Sequence, residues 1–178
     1  MNAELKSSDH LVPNVLANNL QIVFCGTAPS RSSATQRAYY AHPQNRFWKT
    51  LKEIGLTPNQ FQPQDFQRLL EFSIGLTDLC KITCGNDDEL PRGALDVLSL
   101  RENITIYQPK ILAFTSKRAG QALCGRQIGY GWQQIMIGST RISVLPSTSP
   151  RARAFWNIKP WLELVEALQE QKDGALTV

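Results

Sequence analysis

Tyr39, Tyr40, His42, Pro43, Asn45 and Arg46 fall within eight residues of one another. They follow the short apolar run Ile22-Val23-Phe24-Cys25 and the loop Gly26-Thr27-Ala28-Pro29-Ser30, and Phe47-Trp48 comes straight after them. Aromatic faces, amides and one cation in so short a span suit recognition of a flat, polar ring. A second chemically able residue, Asp78, stands near the end of the apolar run 73–79. A third group is Ser147, Thr148, Ser149, Pro150, Arg151 and Arg153, just past the run 140–145. Hydroxyls, backbone N–H groups and arginines are the usual grips for phosphate and sugar.

These residues need elements that hold them at one place. Apolar runs at 21–25, 73–79, 111–114 and 140–145 read as strands, and residues 135–138 with 140–145 as the two arms of a late turn. Helical spacing marks 45–54, 65–72, 95–107, 116–123 and 155–168. Strands alternating with helices predict an α/β protein, a parallel sheet covered by helices on both faces. The carboxyl ends of such strands fix the loop backbones, so active sites of open sheets are built there. Loops 26–46, 77–93 and 146–153 should then share one edge. They would form a pocket with an aromatic wall, an acid and a phosphate-gripping rim. The expected organisation is an N-terminal arm over 1–20, one domain over 21–170 and a frayed tail over 171–178.

Composition narrows the partners. The chain has 178 residues, enough to bury a core, with 42% hydrophobic and 19% charged residues. A net charge of +4 permits a polyanionic partner without requiring one. Cys25, Cys80, Cys84 and Cys124 lack the paired spacing of zinc or iron–sulfur ligands, so reduced, mostly buried thiols and no metal are expected. The acidic stretch Asn86-Asp87-Asp88-Glu89 does not match a calcium loop and reads as solvated. The N-terminal residues lack the apolar core of a secretory signal, and no run suits a membrane span. A cytoplasmic protein is expected.

The stretch GTAPSRSSATQRAYYAHPQNRFW resembles the first motif of the mismatch-specific uracil/thymine-DNA glycosylases, within the uracil-DNA glycosylase superfamily. GLTDL at 75–79, YQPKILAF at 107–114 and IGSTRISVLPSTSPRAR at 137–153 resemble the same family in the same order, so the likeness runs from about 21 to 168. It implies a three-layer α/β/α sandwich around a four-stranded parallel sheet, and excision of a damaged base from DNA without a cofactor. Two positions depart from that pattern. The first motif of the mismatch-specific members reads GINPG, with an asparagine that positions the attacking water where this chain has Ala28. Their second motif resembles NPSGLSR, with an apolar wedge where this chain has Arg151. With HPQNRFW retained, the sequence is closer to the divergent branch that includes the hypoxanthine-DNA glycosylases, where the asparagine of that motif points to Asn45.

By this resemblance Gly26, Thr27, Ala28, Pro29, Ser33 and Tyr40 would bind the base, Tyr40 by stacking. Asn45 and Asp78 would be catalytic. Ser147, Thr148, Ser149, Pro150, Arg151 and Arg153 would hold DNA. Base–aromatic stacking is worth about 1–3 kcal/mol in single-strand binders. Breaking an N-glycosidic bond builds positive charge on the sugar and negative charge on the base, so a carboxylate and preorganised donors both have work to do. Asp78 suits the cation or the water, or else reads the base edge. Asn45 orients water or caps the helix opened by Phe47. His42 is expected to bond a backbone carbonyl. No lysine occupies a nucleophile setting, which favours a monofunctional glycosylase leaving an abasic site; the sequence gives no sign of an oligomer interface, so a monomer is expected. Uracil leads as substrate, ahead of hypoxanthine and mismatched thymine. A damage-sensing module without catalysis, suggested by Ala28, and an unrelated enzyme for a small nucleotide are the competing readings.

Overall fold

A computed structural model describes residues 9–175. The first eight residues of the expected arm, and the last three of the expected tail, lie outside the described residues. Strands β1 (Ile22–Gly26), β2 (Ile74–Asp78), β3 (Ile111–Phe114), β4 (Gly131–Ile137) and β5 (Thr140–Val144) form one sheet in the order β2-β1-β3-β5-β4. Helices are α1 (Arg31–Gln36), α2 (Phe47–Glu53), α3 (Val97–Tyr107), α4 (Lys117–Cys124) and α5 (Lys159–Ala175), with 3₁₀ helices at Pro63–Phe72 and Pro150–Phe155.

The sheet is α/β as expected but has five strands, not four, and is not wholly parallel. β1, β2, β3 and β5 run parallel, while β4 pairs antiparallel with β5. Only Gly138 and Ser139 separate β4 from β5, and Gly138 has φ +56°. A two-residue link closes a hairpin and is far too short for the crossover that parallel pairing requires. The late turn read from the sequence is thus a full edge hairpin.

The parallel strands are buried on both faces, and their alternation sorts the core. Ile22 and Phe24 face a cluster with Phe47, Leu51, Leu69, Trp161 and Leu164, while Val23 and Cys25 face Leu100, Ile104, Phe114, Ala119 and Leu123. Helices α2 and α5 therefore cover one face, and α3 and α4 the other. On the first face an aromatic series runs outward. Phe24 stacks on Trp161 at 5.5 Å and meets Phe47 edge-on at 5.4 Å, and Phe47 stacks on Tyr40 at 3.8 Å. Such pairs add about 0.5–1.5 kcal/mol each beyond area burial.

Three local readings change. α1 forms inside what the sequence presents as a plain loop: Ser30 caps it by accepting from Ser33 N–H at 3.1 Å. The last helix begins at Lys159 rather than Phe155 and continues to Ala175, through part of the expected tail. Pro160 explains the start, because proline has no N–H to give an interior turn but fits the first one. Residues before β1 pack closely: Val12 and Val15 are buried, and Val15 exchanges backbone hydrogen bonds of 2.9 Å with Leu76 along the outer edge of β2. That contact covers an edge otherwise open to pairing.

Candidate active site

In the strand order β2-β1-β3-β5, the chain leaves β1 to one side and returns on the other, so a crevice opens at the carboxyl ends beside β1. A cavity of about 410 Å³ lies there. β1 contributes Gly26, Thr27, Ala28 and Pro29, and the segment after it adds Ser33, Tyr39, Tyr40 and Asn45. β2 contributes Asp78, β3 is followed by Thr115 and Ser116, and β5 by Ser147, Thr148, Ser149 and Arg151. Of the residues given a catalytic, base-binding or DNA-holding role from the sequence, Pro150 and Arg153 alone are not in the lining.

Backbone bonds between strand ends hold the floor. Thr115 N–H donates to Cys25 C=O at 3.0 Å, Leu79 N–H to Gly26 C=O at 3.0 Å, and Cys80 N–H to Thr27 C=O at 2.8 Å. Thr27 and Ser116 hydroxyls meet at 3.0 Å. Ser33 is itself buried, and its Oγ accepts from Ala41 N–H at 3.2 Å, folding the tyrosine segment back over α1.

Tyr40 is held on three sides. Its ring lies against Phe47, its hydroxyl meets Thr115 Oγ1 at 3.0 Å, and its backbone has φ +51°, which a bulky residue rarely adopts. Tyr39 also borders the cavity, only 2% exposed, with its ring against Phe66 and its hydroxyl without a hydrogen-bond partner. Tyr39 thus packs inward in the core, while the half-buried Tyr40 keeps part of its surface at the cavity. Burial raises both phenol pKa values, and the nearby Asp78 adds to the effect.

Asp78 is 5% exposed. Desolvation lifts its pKa from 3.8 to about 7, against the opposing pull of Lys81 and of the hydrogen bond from Gly26 N–H. Lys81 in turn is lowered by its own burial, and its ammonium donates to Asn14 Oδ1 and Thr77 Oγ1. Gly26 is required here by space: a Cβ at this position would lie 2.3 Å from Asp78 Oδ1 and 3.6 Å from the Tyr40 hydroxyl.

Asn45 stands both at the head of α2 and at the cavity wall. Its Oδ1 accepts from Phe47 N–H at 3.0 Å, at the head of α2, while the residue borders the cavity. His42 is outside the lining, and its Nδ1 accepts from Gln44 N–H at 3.1 Å instead of donating to a carbonyl. The hydroxyl loop is tied to this segment, since Arg46 N–H donates to Thr148 C=O at 3.1 Å and Trp161 Nε1 to Pro146 C=O at 3.1 Å.

The acidic loop is more than a solvated connection. Gly85, Asn86, Asp87 and Asp88 wall the cavity, and Gly85 N–H donates to Pro29 C=O at 3.0 Å. Desolvation raises the pKa of Asp87, while Thr27, Arg118 and Arg151 oppose the shift. Loop 77–93 was expected at this edge as a strand-end loop, but its acidic residues were read only as solvated. Thr115 and Ser116 were also missed, although they follow a strand end by the same rule that located the other loops. Among the described residues no cluster of His, Cys, Asp or Glu could hold a metal ion, and all four cysteines are free.

A family model described as the Uracil DNA glycosylase superfamily matches residues 13–170, which is most of the chain and all of the strands and cavity-lining loops above. The chain belongs to the uracil DNA glycosylase superfamily. The superfamily comprises DNA glycosylases, hydrolases of DNA repair, and the cavity sits on the matched part of the fold. A solution NMR structure from Methanosarcina acetivorans, described as a candidate uracil DNA glycosylase, is similar in fold. Its TM-score is 0.60 at 22% identity, over 86% of this chain and 92% of that one.

Proposed function

We propose that this uracil DNA glycosylase superfamily member hydrolyses the N-glycosidic bond of a deaminated or mismatched base swung out of DNA, leaving an abasic site. The observation that carries this reading is the single cavity in which an aromatic plate, a buried acid and a hydroxyl–arginine rim meet. A base in a duplex must leave the stack before its sugar bond can be reached.

In this mechanism Tyr40 stacks on the extruded base, backed by Phe47. Asp78 reads the base edge. As a neutral acid it donates to a ring carbonyl and accepts from the adjacent ring N–H, the lactam edge that uracil and hypoxanthine share; as a carboxylate it would repel that carbonyl. Ser147, Thr148 and Ser149 grip the flanking phosphates, and Arg151 adds a salt-sensitive contact. Asn45 accepts a hydrogen bond from the attacking water through the Oδ1 lone pair that Phe47 N–H leaves open. Ala28 has no polar side chain with which to do so. Departure of the base as an anion is eased by donors already placed, which need no reorganisation during the reaction.

The experiment is direct. Duplexes with one uracil, hypoxanthine or G·T pair are incubated with the protein and then treated with alkali. Strand scission at uracil or hypoxanthine is expected. Damage-selective binding without scission would instead favour a sensor that has lost catalysis, the reading to which Ala28 lends weight.

A further inference from the structure

Lys81 is half-buried, lies outside the cavity lining and has no task in the mechanism above. Three residues past Asp78 its side chain doubles back, and its ammonium donates to Thr77 Oγ1 and Asn14 Oδ1. Successive side chains of a strand point to opposite faces, so Thr77 and Asp78 look to opposite sides of β2. The ammonium is thus held beside the neighbour of the cavity acid, but behind the wall. The segment before β1 keeps it there. Leu11 N–H donates to Lys81 C=O at 2.8 Å, and Val15 pairs with Leu76, which sets Asn14 against the lysine. Both acceptors of the ammonium are neutral, and among the described residues Lys81 makes no ion pair.

A cation set in packed protein loses solvation that two neutral acceptors return only in part. Its field reaches Asp78 through protein rather than through water, where it is screened little. We propose that Lys81 is a positioning residue, which acts on the base through Asp78 by fixing from behind the wall how readily that acid gives up its proton. This role deepens the reading in which Asp78 holds the base edge, and rests on it for the effect on excision. The other groups around the pair leave the task to Lys81. Asp78 also acts on Cys25, Tyr39 and Tyr40, whose pKa values are raised chiefly by burial, so all three stay neutral near pH 7. Lys81 faces Asp78, Cys25, Cys80 and Asp96, and with burial it pushes His10 toward its neutral form against the pull of Asp9. Asp96 is committed to the head of α3, where it accepts from Ser99 N–H at 2.9 Å and Ser99 Oγ at 2.7 Å. The charge of Lys81 favours the carboxylate, opposes burial and leaves the Asp78 midpoint at about 7.

The test compares pH profiles. In Lys81→Gln the charge is gone, burial is opposed only by the Gly26 bond, and Asp78 should keep its proton to higher pH. Its carboxyl carbon resonance in NMR, identified by its absence in Asp78→Asn, should titrate about one pH unit higher than in the wild type. The alkaline decline of single-turnover excision should move by the same amount. A carboxyl midpoint that does not move would overturn the proposal, whatever happens to the rate. If the midpoint moves and excision does not follow it, the base-reading role of Asp78 fails and the action of Lys81 stands. A second measurement leaves Lys81 in place. Coupling between two sites is reciprocal, so the wild-type Lys81 Nζ resonance should show an inflection at the Asp78 midpoint that Asp78→Asn abolishes. An inflection missing from the wild type, or one that survives in Asp78→Asn, would equally overturn it.

Discussion

The floor and the rim of the cavity are built on opposite terms. At the floor Gly26, Asp78 and Thr115 sit at paired strand ends, out of water, and the half-buried Tyr40 is bonded to Thr115. At the rim Asp87, Asp88 and Arg151 are exposed, carried by loops and by a short 3₁₀ helix. Desolvation governs the first region, so small changes of shape or proton count there have large effects. The second region is closer to water, with desolvation still felt at Asp87, so changes there should be smaller and salt-dependent.

The largest expected effect comes from intruding on the floor. Gly26→Ala would place a methyl group 2.3 Å from Asp78 Oδ1, within contact of the space above Tyr40, and the carboxyl would have to leave its position. Loss of excision by about a thousandfold is expected, set against a stability cost of about 1–3 kcal/mol for overpacking. Single-turnover kinetics and a denaturant melt together check this. Retained turnover would show that the floor does not read the base.

Asn45 comes next, because cap and water can be separated. Asn45→Ala should lower excision by about a hundredfold and cost about 1 kcal/mol of stability from the lost bond to Phe47 N–H. Asn45→Asp keeps an acceptor for that N–H and should restore stability. If Asn45→Ala loses that stability yet keeps wild-type excision, Asn45 serves only the helix.

Asp78 links the comparison to pH. Its pKa is raised from 3.8 to about 7 by burial, so between those values the folded state holds a proton that the unfolded chain has released. The group's unfavourable contribution is absent below about pH 4, grows as pH rises and is complete above about pH 7. At 1.36 kcal/mol per pKa unit the total is on the order of 4 kcal/mol. Asp78→Asn should therefore raise the melting temperature more at pH 8 than at pH 5. If the neutral acid reads the lactam edge, wild-type excision declines above pH 7, and Asp78→Asn, which offers donor and acceptor at every pH, removes that decline. A wild-type rate that climbs through pH 7 would assign the carboxylate a charge-stabilising or water-activating task instead.

The same contrast explains what could be read in advance. Strands β1 and β3 are continuous apolar runs and β2 and β5 carry apolar residues at alternate positions before Asp78 and Pro146, so their positions and their shared carboxyl edge were legible. β4 was legible only as an arm of a turn, because Trp132-Gln133-Gln134 interrupts its apolar pattern and its pairing carries a register shift between Trp132 and Met136. At the site, Asp78 announced itself by type at a strand end and Tyr40 by the aromatic pair ahead of α2. Asp87 did not, since what brings it to the cavity is a backbone bond from Gly85 to Pro29 and a clasp by Glu89, neither of which leaves a spacing in the sequence. The neutralising environment of Asp78 was equally hidden, being a property of packing from β1 and the tyrosine segment.

On the rim, Arg151→Ala should weaken duplex binding and reduce the slope of log affinity against log salt by about one, the share of a single phosphate contact. An unaltered slope would take Arg151 off the phosphate path. A smaller effect belongs to Glu89. It accepts from Arg31 at 2.9 Å, from Asn86 N–H at 2.7 Å and from Asn86 Nδ2 at 3.0 Å, and so holds the turn that presents Asp87. The Arg31 partner is largely exposed, and such pairs give about 0–1 kcal/mol. Glu89→Ala should therefore leave the melting temperature nearly unchanged while loosening the wall loop, with a change in KM of at most about fivefold and kcat unaltered. Arg31→Ala removes the exposed pair but keeps the bonds to Asn86, and should do less still. A fall in kcat with Glu89→Ala would mean that Asp87 acts on the reacting atoms, and the rim would then belong to the chemistry rather than to binding alone.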